Sequence, residues 1–376
     1  MTSSEKASVQ NLRSESLPLD DIEPIWSSLV ARITHPAFFH RREWHATIRE
    51  RLVPDVRYIV FFDDREPVAL FPFTDIANRR SRMGEVSLPG HTEIFIRDCL
   101  IAEPYLGAPW RAILGQHVRR ESGSQAKAFR FHRVPARSCA AMAFAAADPG
   151  VRRKDSDGHV HCDVTDADAL DALSHKHLRN IDRLSRRAGN EMGAVDRLTF
   201  EGPEAATDGL DLFARIEERS WKGPEGTATS LSCQPEALAF YRAVLTAFGA
   251  SGDARVDVLT IGGEPTASQL AIRAAGTWNL LKVGFNDAYA ACGPGNILLK
   301  SFLEEMAADP DVSDVSLVTN PPWAARWHMV VEPTYDVVVF PPTLAGRLGA
   351  LGQDTIGAAR RLRTIIGTTL GSLPLE

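Results

Sequence analysis

Between Trp278 and Met306 the chain reads WNLLKVGFNDAYAACGPGNILLKSFLEEM, and Gly293, Pro294 and Gly295 stand in it where an anion could be held. The run before them has strand character, and the run after them puts Ile297, Leu298, Phe302, Leu303 and Met306 on one side of a helix. A strand, a tight turn and a helix N-terminus leave the first helical N–H groups without intrahelical acceptors, pointing at whatever sits above the strand. The same glycines also serve as ordinary punctuation before a helix. Three other groups have residue types that could do chemistry. Lys176, Arg179, Arg183, Arg186 and Arg187 recur at helical spacing, as either a phosphate contact or a solvated helix face. His159-Val160-His161-Cys162 has the donor types of a metal site. His159 and His161 share one strand face and no second cluster accompanies them, so no metal is expected. Cys292 would need a neighbouring base to act as a nucleophile, and the sequence identifies none.

The 376 residues suit two domains or one large one, and 44% hydrophobic with 24% charged residues is the balance of a soluble globular protein. A net charge of -6 argues against nucleic acid held over the whole surface and leaves a local basic patch open. Cys99, Cys139, Cys162, Cys233 and Cys292 are odd in number, widely spaced and without a CxxC, so reduced thiols are expected rather than a disulfide framework or zinc site. The opening MTSSEKASVQNLRSESLPLDD is polar and lacks an apolar signal core, so a disordered tail over 1–17 is expected. No apolar run approaches the ~18 residues of a membrane span, and a cytoplasmic location is expected.

These residues need elements to position them. Two helices are predicted over 20–53, divided at Pro36, then a hairpin from the β-rich runs 57–62 and 68–73. Short apolar runs follow at 86–88 and 99–102, a helix at 110–121 and a strand at 128–134. The charged segment 148–158 reads as a surface connection and a unit boundary. A helix over about 166–190 carries the basic stripe opposite Leu170, Leu173, Ile181 and Leu184. Beyond it the pattern gives a strand at 198–200, helices at 208–221 and 235–248, strands at 256–261 and 266–273, and then the opening stretch. Strands at 315–318 and 335–340 follow, flanking the aromatic segment PPWAARWH, and a helical tail over 343–370 carries Arg360, Arg361 and Arg363.

The chain also repeats itself. Residues 56–70 lie over 254–268 at one constant offset of 198, matching Val60 to Val258, Glu66 to Glu264, Pro67 to Pro265 and Ala69 to Ala267. The helical runs 38–49 and 236–247 precede these segments at matching places, so a tandem duplication of one α/β unit is expected. The expected organisation is a tail at 1–17, an N-terminal unit at 18–158, a C-terminal unit at 159–342 and a helical tail at 343–376.

The second half, read as strand, helix, helix, three strands, helix, strand, short helix, strand, is similar to the GNAT acyltransferase fold. Glu217-Glu218-Arg219-Ser220-Trp221-Lys222-Gly223 with Gly226-Thr227, Gly263-Glu264-Pro265 followed by Ser268-Gln269-Leu270-Ala271, Lys282-Val283-Gly284-Phe285-Asn286-Asp287, and Pro294-Gly295-Asn296 resemble the CelD/BcsL-type acetyltransferase 6 family. That family is related to the FemAB peptidyltransferases, which contain two GNAT-like halves. The resemblance runs from about residue 166 to residue 327. It implies an α/β fold of two tandem GNAT-like domains, with mixed, mostly antiparallel twisted sheets flanked by helices. It also implies acyl-CoA as cosubstrate, no metal, and an active cleft in the C-terminal half closed on one side by the N-terminal half. The sequence departs from the family in two places. No arginine or glutamine heads the turn Tyr289-Ala290-Ala291-Cys292-Gly293-Pro294-Gly295. The segment Trp323-Ala324-Ala325-Arg326-Trp327 has Ala324 where relatives carry lysine. The donor is therefore open among acyl-CoA, an acyl-carrier protein and aminoacyl-tRNA.

By that resemblance, backbone amides of the fourth strand around Leu281 and Val283 would polarise the acyl carbonyl, and Gly293, Gly295, Asn296 and Ile297 would hold the donor. Glu218, Asp287 and His328 are candidate bases and Tyr289 a candidate acid for the leaving thiolate. Each also has a plain structural role open to it, as a helix-surface carboxylate, a loop cap or a packed ring. Trp221, Lys222, Gln269, Lys282, Trp323, Arg326 and Trp327 are candidates for binding substrate. The expected reaction is acyl transfer to a small-molecule or carrier-bound amine, or to a hydroxyl. The alternatives are a FemAB-like ligase using aminoacyl-tRNA, with the basic stripe as its tRNA contact, and a silent binding protein that kept the fold.

Overall fold

Two hairpins built on the repeated sequence organise the molecule. The computed structural model describes residues 12–76, 85–122, 125–165, 170 and 173–355. The first sheet contains β1 (Arg13–Leu17), β2 (Arg57–Asp63), β3 (Glu66–Ile76), β4 (Glu85–Ser87), β5 (Leu100–Ile101), β6 (Ala128–Pro135), β7 (Val151–Asp155) and β15 (Thr334–Val339). Their order is β1-β2-β3-β4-β6-β15-β7, with β5 also on β3. The second sheet contains β8 (His159–Asp163), β9 (Val195–Glu201), β10 (Ala254–Ile261), β11 (Glu264–Ala274), β12 (Thr277–Phe285), β13 (Asp314–Ser316) and β14 (Val330–Glu332), in the order β14-β8-β13-β12-β11-β10-β9. Helices among the described residues include α1 (Glu23–Val30), α2 (Arg42–Arg51), α3 (Trp110–Ser122), α4 (Cys139–Ala143), α5 (His175–Met192), α6 (Leu210–Glu218), α7 (Pro235–Gly249) and α8 (Pro294–Ala308).

The duplication extends to register. In the β2–β3 hairpin Phe61 faces Ala69 and Phe62 faces Pro67, with a bulge between Phe61 and Phe62. In the β10–β11 hairpin Leu259 faces Ala267 and Thr260 faces Pro265, with the bulge between Leu259 and Thr260, at the same offset. A proline cannot donate to the ladder, and a bulge beside it absorbs the missing bond. Each sheet also holds one parallel pair, β4 with β6 and β12 with β13, and in each a helix (α3 or α8) precedes the second strand. The chain is thus α/β with two mixed, mostly antiparallel sheets flanked by helices.

Four expectations need correction. Residues 13–17, expected in a disordered tail, form β1 against β2, with Leu12 buried beside it. The segment 148–158 includes strand β7, whose arginines and lysine suit a solvated sheet edge, with Arg153 over the Tyr335 ring. The strand expected at 335–340 crosses back and pairs with β6 and β7 of the first sheet. Helix α2 buries Trp44 and Ile48 in the core of the second sheet, where Trp44 meets Phe240 at 5.5 Å, while α1 packs Trp26 and Leu29 on the first. A closing helix spans 344–355, and Arg360, Arg361 and Arg363 lie outside the described residues.

Candidate active site

Strands β12 and β13 pair over three residues only, Thr277 with Asp314, Trp278 with Val315 and Asn279 with Ser316. Beyond them the strands part, and a cavity of about 320 Å³ lies where the end of β12 meets the N-terminus of α8. Val283, Gly284 and Phe285 of β12, Ser268 and Gln269 of β11 and the Ser220–Lys222 segment after α6 form part of its wall. The turn Gly293–Asn296, Leu298, Leu299 and Trp323 close the rest.

The turn is shaped by Gly293, which adopts φ 63° and ψ 47°, a left-handed conformation that a side chain disfavours. Pro294 then opens α8 without an N–H to offer. The N–H groups of Asn296 and Ile297 both donate to the Gly293 carbonyl, at 3.0 and 3.2 Å. Of the first four residues of α8, Gly295 alone keeps a backbone N–H with no acceptor among the described residues. The anion cradle expected from the sequence is therefore narrower than a full helix terminus. Asn296 accepts the Trp327 indole N–H at 3.3 Å, which fixes its side chain at the cavity wall.

The upper wall rests on a carboxylate the sequence reading passed over. Glu217 is wholly buried, accepting the Lys222 ammonium at 2.9 Å and the Leu231 N–H at 2.8 Å. Lys222 also donates to the Val283 carbonyl at 3.1 Å, tying the loop after α6 to the parted strand. Two glycines make the loop tight enough to do this. A Cβ on Gly223 would fall 1.9 Å from the Glu218 carbonyl oxygen, and one on Gly226 would fall 1.9 Å from that of Trp221. The signal for Glu217 was present in the helical phase, since it follows the buried Phe213 and Ala214 by four and three residues.

The floor is a buried ionic network. Gln269 donates through Nε2 to Asp257 at 3.2 Å, and Asp257 also takes the Thr199 hydroxyl and the Arg255 guanidinium. Burial pulls the Arg255 pKa down, but hydrogen bonds and charge from Glu305 and Asp257 outweigh it and hold the guanidinium above its ordinary value. Because Asp257 accepts only, the Gln269 amide is oriented with Nε2 toward it, leaving Oε1 as an acceptor for the cavity.

The cavity brings together Trp221, Lys222, Gln269, Val283, Gly293, Gly295, Asn296 and Trp323. Other expected residues lie elsewhere. Glu218 ends α6 in solvent, one position past the inward phase occupied by Glu217. Asp287 is exposed, and it is Asn286 that caps the turn, accepting the Ala288 N–H at 3.0 Å. Tyr289 is half-buried against the α8 core and does not line the cavity, while His328 is exposed with φ 59°. Leu281 packs on the α6–α7 side of the sheet and Ile297 in the core beneath α8. Lys282 also faces α7, 3.6 Å from Glu93 and 5.2 Å from the Tyr241 ring centre, with Tyr241 donating to Glu93 at 2.5 Å. A bulge in the β11–β12 pairing explains the turn of Lys282, because two successive residues, Leu281 and Lys282, fall on one side. Trp327 is core, with the His177 ring edge-on at 5.0 Å. Arg326 is exposed; burial first, and then the Arg326 charge, lower the His177 pKa.

Two clusters have metal-ligand types. His40, Asp98 and Cys139 lie close together and buried. His40 Nδ1 accepts the Ala37 N–H, so Nε2 carries the proton and gives it to Asp98 at 3.0 Å. Asp98 also takes the Cys139 and Ala140 N–H groups. The tautomer set by Ala37 leaves no free imidazole lone pair, so the trio works as a hydrogen-bonded lock. On β8, burial lowers the His159 pKa, while a hydrogen bond to Asp314 at 2.9 Å raises that of His161.

Residues 175–323 match the family described as acetyltransferase (GNAT) domain. FemX is similar to this chain with a TM-score of 0.59 at 10% identity, over 86% of this chain and 96% of FemX. The C-terminal domain of a putative lysylphosphatidylglycerol synthetase from Agrobacterium fabrum gives 0.50 at 14% identity, over 88% and 96% of the two chains. L-PGS from Bacillus licheniformis gives 0.50 at 13%, over 83% and 95%. No curated protein matches in sequence. At these identities the likeness to solved structures is one of fold.

Proposed function

We propose that this chain, whose residues 175–323 carry a GNAT acetyltransferase domain of the acetyltransferase 6 type, transfers an acyl group from a thioester donor, of which acyl-CoA is one form, to an amine. The observation that carries this reading is the cavity where β12 parts from β13 beside the N-terminus of α8. It is concave, largely apolar and supplied with a few fixed polar groups, as a site for a thioester arm should be.

In this reading the amine nitrogen attacks the thioester carbonyl carbon, a C–N bond forms, and the C–S bond breaks. The sulfur leaves as thiolate and takes up a proton, while the nitrogen gives one up. The oxyanion donor is the Val283 N–H. Its carbonyl turns away from β11 to meet Lys222, and in a strand the N–H of the same residue shares that side. Gln269 Oε1 would accept an amide N–H of the donor arm, and Gly295 N–H would take one phosphate oxygen. Lys222 and Glu217 hold the wall in place, while Glu93 meets Lys282 and Tyr241 on the α7 side of the sheet. The setting we propose is the cytoplasm, in keeping with five unpaired thiols. Among the described residues no helix is long and apolar enough to cross a membrane.

The test is calorimetric titration of the full chain with S-acetyl-pantetheine and acetyl-CoA, repeated on Gly295→Glu. Binding of the thioester that the glutamate abolishes supports the reading. No heat with either donor sinks it.

A further inference from the structure

We infer that the thioester arm is presented by an acidic, helical carrier protein rather than by free CoA, and that the exposed basic ridge of α5 docks that carrier. The inference rests on reading the cavity as a thioester site. It starts from a mismatch between that cavity and the groups around it. CoA brings a diphosphate and a further phosphate, which need several donors and cations near the turn. The turn has one free N–H, and residues 286–295 (NDAYAACGPG) contain no lysine or arginine. A carrier-borne arm brings a single phosphodiester, which one N–H can serve.

The missing cations stand on α5. Lys176, Arg179, Arg183 and Arg186 are all exposed, at spacings of three and four that put them on one face over about 15 Å. Among the described residues Lys176, Arg179 and Arg186 have no acidic partner, and Arg183 reaches only the Asn180 side chain, at 3.0 Å. The next basic residue, Arg187, is engaged by Glu191. The ridge borders the donor turn, for Leu184 approaches Gly293 and Met192 Sδ lies 3.5 Å from Cys292 Sγ. Met192, the last residue of α5, is exposed at 43%, and Trp221, in the cavity lining, is exposed at 57%. A cationic line three turns long, with apolar contacts at its end, fits a single acidic helix of similar length. A tRNA would need a broader basic surface than one helix on a chain of net charge -6 supplies.

The experiment titrates the full chain with an acetylated holo-acyl-carrier protein, S-acetyl-pantetheine, acetyl-CoA and bulk tRNA, at low and moderate salt. It is repeated on Arg179→Glu/Arg183→Glu and on the milder Arg179→Gln/Arg183→Gln, each checked for fold by circular dichroism. The carrier should bind at least about tenfold tighter than acetyl-CoA and lose at least about tenfold on charge reversal or added salt. S-acetyl-pantetheine affinity should be the same in all three proteins. The inference is overturned if the carrier binds no better than acetyl-CoA, if the reversed ridge binds it equally well, or if tRNA displaces it. Tight acetyl-CoA binding with an indifferent ridge would leave the cavity reading standing and remove the carrier. Failure of every thioester, S-acetyl-pantetheine included, would remove both.

Discussion

Replacing Glu217 by alanine should loosen the cavity wall and destabilise the packing of α6 on the second sheet together. The carboxylate has no exposure and serves two donors, the Lys222 ammonium and the Leu231 N–H. Breaking a fully buried pair costs ~3–5 kcal/mol, and leaving a buried N–H unmet costs ~1–3 kcal/mol. Lys222 keeps 24% of its side chain exposed and retains the Val283 carbonyl, so its charge is partly relieved by water. The net loss should be about 2–3 kcal/mol. Glu217→Gln, which still offers an oxygen to Leu231, should lose about half as much. The assay is urea unfolding of the wild type, Glu217→Ala, Lys222→Met and the double variant, followed by tryptophan fluorescence. The coupling should be about 1–2 kcal/mol, because removing both partners leaves no stranded charge. Strict additivity, or a loss below about 0.5 kcal/mol for Glu217→Ala, would show that the pair does not hold the wall.

Three further outcomes are expected. His45 is buried, and burial lowers its pKa to about 4, against the hydrogen bond to the Phe39 carbonyl. A depressed folded pKa penalises the native state as pH falls from 6.5 toward 4, by about 3 kcal/mol at most. Unfolding of a His45→Gln variant should therefore depend less on pH over that window, and an unchanged slope would remove His45 as the cause. Gly226→Ala, which places a Cβ against the Trp221 carbonyl, should lower thioester affinity more than it lowers the melting temperature. Equal binding by the variant would show that the loop can relax. In a thiol-labelling time course Cys292 and Cys233 should react first, while Cys99, Cys139 and Cys162, all buried, wait for unfolding. Burial raises the Cys162 thiol to about 12 and pushes those of Cys99 and Cys139 well above the usual range. Fast modification of Cys139 would contradict the buried lock around Asp98.

What the sequence made legible was whatever local chemistry encodes. The two hairpins declared themselves because a Glu-Pro pair after a tight turn, with alternating apolar flanks, recurs at a fixed offset, and even the bulges coincide. The donor turn was readable from Gly293-Pro294-Gly295, since a left-handed residue followed by a helix-starting proline leaves few other choices. The number of free N–H groups there was not, because it depends on Gly293 folding its carbonyl back on Asn296 and Ile297. Lys282 was expected in the cleft on simple alternation, and the β12 bulge reversed its side. Glu218 lost its place to Glu217 because the inward phase of α6, set by the buried Phe213 and Ala214, falls on 217 and turns 218 to solvent. The return of β15 to the first sheet has no local signal at all, since it is a pairing across some 200 residues of chain between Val337 and Phe131.

The central claim is that a thioester arm occupies the space between the parted end of β12 and the start of α8. Backbone hydrogen exchange of the full chain, with and without saturating S-acetyl-pantetheine, tests it most directly. The account predicts slowed exchange at Val283–Phe285 and at Gly295–Leu299, with β8 and the first sheet unaffected. Protection confined to β8 around His159 and His161, or none anywhere while the ligand demonstrably binds, would contradict it.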